Sequence, residues 1–141
     1  NFLHSIGASN ILSRKELAET SIKPIGKSLW DVGVDVVSGE LLSLLLTSLS
    51  PGGAVACSGL VGGPSFESSI FPFILRGNAL IGIDSVEIPL KDKIHIWEHF
   101  AGDWSLEGLD RITNEVSLND LETEIKSILS GNQVGRVLVK T

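Results

Sequence analysis

The sequence predicts an α/β fold organised around a parallel sheet, on three observations. Two short continuous apolar runs, residues 54–57 and 79–83, each stop at a small or glycine-rich turn: Ser58-Gly59-Leu60-Val61-Gly62-Gly63 after the first, Asp84-Ser85 after the second. Runs of that length without polar alternation suit strands covered on both faces. Strand-like and helix-like stretches then alternate with short connections, which is the order of an α/β chain. Finally, residues 40–49 carry Leu41, Leu42, Leu44, Leu45, Leu46 and Leu49, covering too much of a helix surface for one exposed face, so this helix belongs inside. Glycine beyond the carboxyl ends of parallel strands lets backbone approach a ligand closely, so residues 52–85 read as one wall of a cofactor crevice.

The elements follow in order. Residues 1–6 read as the last turns of a helix, capped by Gly7. Asn10-Ile11-Leu12 is a short strand candidate and residues 14–20 a short helix; Pro24 and Gly26 mark the connection after it. Residues 34–37 form a strand closed by Ser38-Gly39, and Pro51-Gly52-Gly53 turns the chain into the strand at 54–57. Residues 70–75 stay ambiguous because Pro72 argues against a regular helix interior. A strand runs from Leu80 to Ile83, and residues 90–101 form a helix with Leu90, Ile94, Trp97 and Ala101 on one side. Beyond Gly108 a strand at 114–117, an amphipathic helix at 118–129 and a strand at 135–140 follow, so two structural units are expected, residues 1–107 and 108–141. The absence of methionine and the opening inside a helix lead us to expect the C-terminal fragment of something longer.

Composition narrows the classes. The 141 residues are 43% hydrophobic, enough to bury a core, and the net charge of −6 is spread along the chain. No basic stripe offers a footprint for a phosphate backbone, which disfavours nucleic acid. The longest apolar stretch, residues 41–49, is interrupted by Ser43, Thr47 and Ser48 and is too short to span a bilayer, so no membrane partner is expected. The single cysteine, Cys57, cannot close an internal disulfide, which fits a reducing, cytoplasmic setting.

Three motifs suggest sharper chemistry, each with a plainer account. His95-Ile96-Trp97-Glu98-His99 spells an inverted zinc-peptidase motif with both imidazoles on one helix face. No third ligand at a plausible distance is evident, and a solvated helix flank explains the pattern, so no metal site is expected. Ser58 lacks the first glycine of a Gly-x-Ser-x-Gly elbow, against a hydrolase nucleophile. Cys57 ends an apolar strand and reads as a buried small hydrophobe rather than a reactive thiol.

Several segments together resemble a known family. Ile6-Gly7-Ala8-Ser9, Leu12-Ser13-Arg14, the Asp35-Val36-Val37-Ser38-Gly39 turn, Phe71-Pro72-Phe73-Ile74-Leu75-Arg76, Gly82-Ile83-Asp84-Ser85 and the closing Gly135-Arg136-Val137-Leu138-Val139-Lys140 are similar to the zinc-independent medium-chain dehydrogenases/reductases, within them the acrylyl-CoA reductase and quinone-oxidoreductase-like group. The resemblance runs in order along essentially the whole chain and is most specific between Phe71 and Ser85.

What the resemblance implies is a partial Rossmann-type parallel sheet with helices on both faces that binds NADPH, plus a closing segment returning to the substrate domain. The intact parent would pass hydride to an activated C=C or a quinone, with no catalytic side chain identified in this stretch; the fragment alone is expected to be inactive. By motif, Arg14 falls near the adenosine phosphate end, Leu60 against the cofactor, Ile74 and Ser85 near the nicotinamide, and Asn132 on the closing segment, where the spacing to Gly135 is one residue shorter than usual. The sheet order of such a domain makes the strand from Leu80 to Ile83 an edge that pairs in a homodimer, and leaves Asn10-Ile11-Leu12 separated from the other strands. The alternative is a non-catalytic Rossmann-like module for dimerisation or ligand sensing.

Overall fold

The computed structural model describes residues 2–141. They form two compact units, Ala8–Pro89 and, separately, Leu90–Thr141 with the residues up to Gly7.

The first unit holds a three-stranded parallel sheet in the order β1-β2-β3, with β1 at Trp30–Asp35, β2 at Leu49–Cys57 and β3 at Ala79–Gly82. Helices α3 (Gly39–Thr47) and α4 (Phe71–Arg76) provide the crossovers, while α2 (Arg14–Ala18) precedes the sheet. The register aligns Gly33, Val55 and Leu80 across the three strands, with Asp35, Cys57 and Gly82 in the next row on the same face. This face carries the core: Leu42, Leu46, Leu49 and Val55 are fully buried, with Leu45, Cys57, Phe73 and Leu80 packed against them. The leucine-rich helix is therefore internal, as its composition predicts. Phe73 brings α4 onto the same face, and Pro72, in the first turn where no backbone donor is needed, lets residues 70–75 be helical after all. The opposite face presents Val32, Ala54 and Ala79, then Val34, Ala56 and Ile81; Val32 and Val34 are 72% and 75% exposed.

Two expectations need correction. Asn10-Ile11-Leu12 is not a strand: the segment has no ladder partner and leads into Ser13, which closes a full capping box on α2. There Ser13 Oγ accepts from Glu16 N at 3.2 Å, while Ser13 N donates to the Glu16 carboxylate at 2.7 Å. Pro51-Gly52-Gly53 is not a turn before a strand but a bulge inside β2, since the pairing jumps from Trp30 with Leu49 to Val32 with Ala54. Gly52 takes φ +78 there, which an L side chain would resist.

Arg76, at the end of α4, ties the far end of this unit together. Its guanidinium donates to the carbonyls of Thr47 (3.1 Å), Leu49 (2.6 Å) and Gly26, satisfying the end of α3 and holding the 21–28 connection.

The second unit contains α1 (Phe2–Ser5), α5 (Leu90–Ala101), β4 (Thr113–Ser117), α6 (Leu121–Leu129) and β5 (Arg136–Lys140). A 3-10 turn, Leu109–Ile112, leads into β4, and a second, Leu118–Asp120, leads into α6. β4 and β5 pair in parallel, Thr113 opposite Arg136 through Ser117 opposite Lys140, and Lys140 forms an ion pair with Glu115. No described side chain of this unit is buried; Trp97, Phe100 and Trp104 form an exposed aromatic group.

The contrast between units gives a test. Leu46→Ala, which empties a fully buried site, is expected to cost about 2–5 kcal/mol. Leu129→Ala, at a side chain 81% exposed, should stay within about 0.5 kcal/mol; denaturant unfolding of both variants measures the difference.

Candidate cofactor site at the strand ends

The carboxyl ends of β1 and β2 are joined by a buried carboxylate. Asp35 is the last residue of β1 and is 5% exposed. Its oxygens accept from Val37 N at 3.3 Å, from Ser38 N at 3.0 and 3.1 Å, and from the Cys57 thiol at 3.3 Å. Those partners satisfy a charge that would otherwise be costly to bury. They also curl the chain tightly after β1, so that Ser38, without being glycine, sits at φ 65 just before α3.

The loop after β2 lies directly on that curl. Ser58 N donates to Asp35 O at 2.9 Å and Gly62 N to Val37 O at 2.6 Å. Gly59 packs so closely that a Cβ there would stand 2.0 Å from Val36 O. The glycine run after the second strand thus serves loop-on-loop packing as well as any approach to a ligand. Cys57 is held as a neutral thiol: burial pushes its pKa up, the hydrogen bond and negative charge of Asp35 push the same way, and the Gly59 backbone opposes them.

Beside this junction lies an open hollow of about 440 Å³, lined by Cys57, Ser58, Gly59, Leu60, Gly82, Ile83 and Asp84. It sits at the carboxyl ends of β2 and β3, where ligands bind in open α/β sheets. Asp84 is oriented by a local turn, its carboxylate accepting from Val86 N at 3.0 Å and Glu87 N at 2.9 Å. Leu60 lines the hollow and is 67% exposed. Ser85 is exposed immediately after Asp84, and neither it nor Ile74, exposed on α4, is among the lining residues. Arg14 begins α2, and its side chain lies outside the described residues. Asn132 is exposed in the second unit, its backbone N–H bonded to Ser127 O at 3.0 Å.

The structure therefore brings Leu60 to the mouth of the strand ends beside the Gly82-Ile83-Asp84 segment and leaves Ile74 and Ser85 off the lining of that hollow. Asp35 stands in one of the family-like segments but has no role assigned to it there. A lone acid closing an apolar strand, Val34-Asp35-Val36-Val37, is the signal that marks it, because such a residue must find donors nearby. Ser58 has no histidine within its own unit to act as a base. Among the described residues no three His, Cys, Asp or Glu side chains come close enough to hold a metal ion.

Parallel strands joined through helices, with a hollow at their carboxyl ends, define a Rossmann-like α/β domain. No known family profile matches the chain. Individual relatives do. Over 99% of its length the chain is 39% identical to YhfP of Bacillus subtilis strain 168, named as a quinone oxidoreductase, and covers 43% of that protein. The crystal structure of YhfP with bound NAD superposes with a TM-score of 0.91. Acrylyl-CoA reductase AcuI of Ruegeria pomeroyi is 37% identical over 99% of the chain, which covers 42% of it. Escherichia coli YhdH, crystallised with NADPH, superposes with a TM-score of 0.88 at 34% identity, again with 99% of this chain and 42% of that one aligned. The chain is a homologue of these acrylyl-CoA reductase and quinone-oxidoreductase-like proteins, and spans about two-fifths of their length.

Gly59→Ala should lower stability by about 1–3 kcal/mol, since the new methyl cannot avoid a backbone carbonyl; thermal unfolding measures it. Asp35→Asn removes a charge that raises the Cys57 thiol, so the midpoint of iodoacetamide labelling against pH, above the ordinary thiol range in the parent, should fall in the variant.

Proposed function

We propose that the protein containing this chain is an NADPH-dependent oxidoreductase that reduces an activated C=C of the acrylyl-CoA kind or a quinone. The observation that carries this reading is the partly apolar hollow at the ends of β2 and β3 in a chain homologous throughout to proteins crystallised with NADPH or NAD. The fit is to the uncharged end of a dinucleotide. Leu60 and Ile83 offer apolar surface, Gly59 and Gly82 leave backbone accessible, and among the described residues no lysine or arginine lines the hollow to take a phosphate. In this reading Leu60 packs against the cofactor, Ile74 and Ser85 border the nicotinamide, Asn132 is presented by the closing segment, and Arg14 serves the adenosine phosphate. Bound NADPH supplies the hydride; this stretch supplies orientation, and an apolar wall that limits water at the reacting face.

Residues 1–107 contribute to the dinucleotide domain and 108–141 return to the substrate domain. On its own the chain is inactive and binds NADPH no tighter than about millimolar, near −4 kcal/mol. β3 lies at a sheet edge and carries exposed Ile81, with exposed Phe71 and Leu75 on α4, which supports a homodimer through the strand from Leu80 to Ile83. A reducing, cytoplasmic compartment suits the unpaired Cys57 thiol. Among the described residues no helix is long and apolar enough to cross a membrane.

The test is NADPH oxidation by the full-length protein with acrylyl-CoA and with quinones; no turnover with either class overturns the reading. Leu60→Asp places a charge on an exposed side chain, so the fold should survive while KM for NADPH rises about tenfold, or 1.4 kcal/mol. An unchanged KM removes Leu60 from the site. Light scattering of the full-length protein checks the dimer, which a concentration-independent monomer mass excludes.

A further inference from the structure

Helix α5 places His95 and His99 one turn apart, and their side chains turn toward each other. The two Nε2 atoms stand 3.3 Å apart, with the rings at 69° and their centroids 4.6 Å apart. Each outer nitrogen faces a carboxylate: His95 Nδ1 is 3.8 Å from Glu98, and His99 Nδ1 is 3.7 Å from Asp103. His99 is further backed by Trp104, stacked at 4.5 Å and 20°. The His95 side chain is 70% exposed and that of His99 32%.

We propose that this pair is a two-imidazole clip for a divalent transition ion of the zinc class, with water completing the coordination. Nitrogens at about 2.0–2.1 Å from a shared zinc ion and near the tetrahedral angle are separated by about 3.3 Å. The observed spacing matches that value. A square-planar ion would need the nitrogens closer, at about 2.9 Å. Carboxylates beside the outer nitrogens are the usual outer partners of metal-bound histidines, and Glu98 and Asp103 lie on that side of the pair. The Trp104 stack restricts His99 before any ion arrives, which reduces the ordering that binding must impose. The motif belongs to the helix surface rather than to a peptidase: two ligands converge and, among the described residues, no third protein donor joins them. An ion held there has open positions for a further donor.

The experiment is calorimetric titration of the full-length protein, cleared with chelator, using zinc and, separately, magnesium. One saturable zinc site per chain is expected, with none for magnesium, whose preference is for oxygen. His95→Gln and His99→Gln should each weaken zinc binding at least about tenfold, the scale at which even outer partners act. His95→Gln lies on an exposed helix face, so its melting temperature without metal should match the parent; His99→Gln also loses the Trp104 stack and is compared with its own metal-free value, and zinc should raise the melting temperature of the parent and of neither variant. Absence of a saturable zinc site overturns the proposal, as does a site that survives either substitution; the 3.3 Å contact is then a histidine–histidine hydrogen bond and nothing more.

Discussion

The strand-end architecture rests on one buried carboxylate. Asp35 ends a strand whose neighbours are apolar, yet it is almost wholly withdrawn from solvent. A carboxylate in that position must be surrounded by donors, and the nearest available are the backbone N–H groups just beyond it. Accepting from Val37 and Ser38 bends the chain into α3 at once and holds Ser38 in a left-handed conformation. The Cys57 thiol then links the end of β2 to the same acid. Every later feature of the site, from the packing of Gly59 on Val36 to the hollow beside Leu60, inherits its position from this junction.

Much of this was readable in the sequence because it depends on period and composition. The leucine density of α3 identified the inner helix, the continuous apolar run at 54–57 the central strand, and the alternation of elements the parallel sheet. What failed depended on partners. Asn10-Ile11-Leu12 has the composition of a strand but no neighbour to pair with, while Ser13 and Glu16 cap a helix immediately after it. Pro51-Gly52-Gly53 has turn chemistry, yet the ladder resumes on both sides of it, so the turn becomes a bulge. The site was legible at Leu60 through its strand-end position; Asp35 was missed because a solitary acid resembles a surface residue until its donors are placed around it.

The two units solve burial differently. In the first, the buried Leu42, Leu46, Leu49 and Val55 and a layer of helices cover one face of the sheet, while Val32, Val34 and Ile81 leave apolar surface on the other. In the second, amphipathic helices and a two-strand sheet assemble with no buried side chain among the described residues. Exposed valines on a parallel strand and an exposed cluster of Trp97, Phe100 and Trp104 are uncommon on a finished surface. They fit a chain that spans about two-fifths of its relatives' length and in which further apolar surface is available to be covered.

This bears on how the glycines between residues 52 and 85 should be weighed. A glycine-rich strand end suggests a backbone bared for a ligand, but Gly59 is required by the neighbouring loop whether or not anything binds. The ligand argument therefore rests less on glycine than on what remains open once the loops have packed. That opening has apolar walls in Leu60 and Ile83 and a single acid, Asp84, already engaged with its own turn. Such a surface can orient a flat, uncharged ring and keep water from one side of it, but among the described residues it has no cationic side chain with which to hold a phosphate. The charged part of a dinucleotide would have to be held by groups outside this hollow, and shape alone would be this stretch's share of the work.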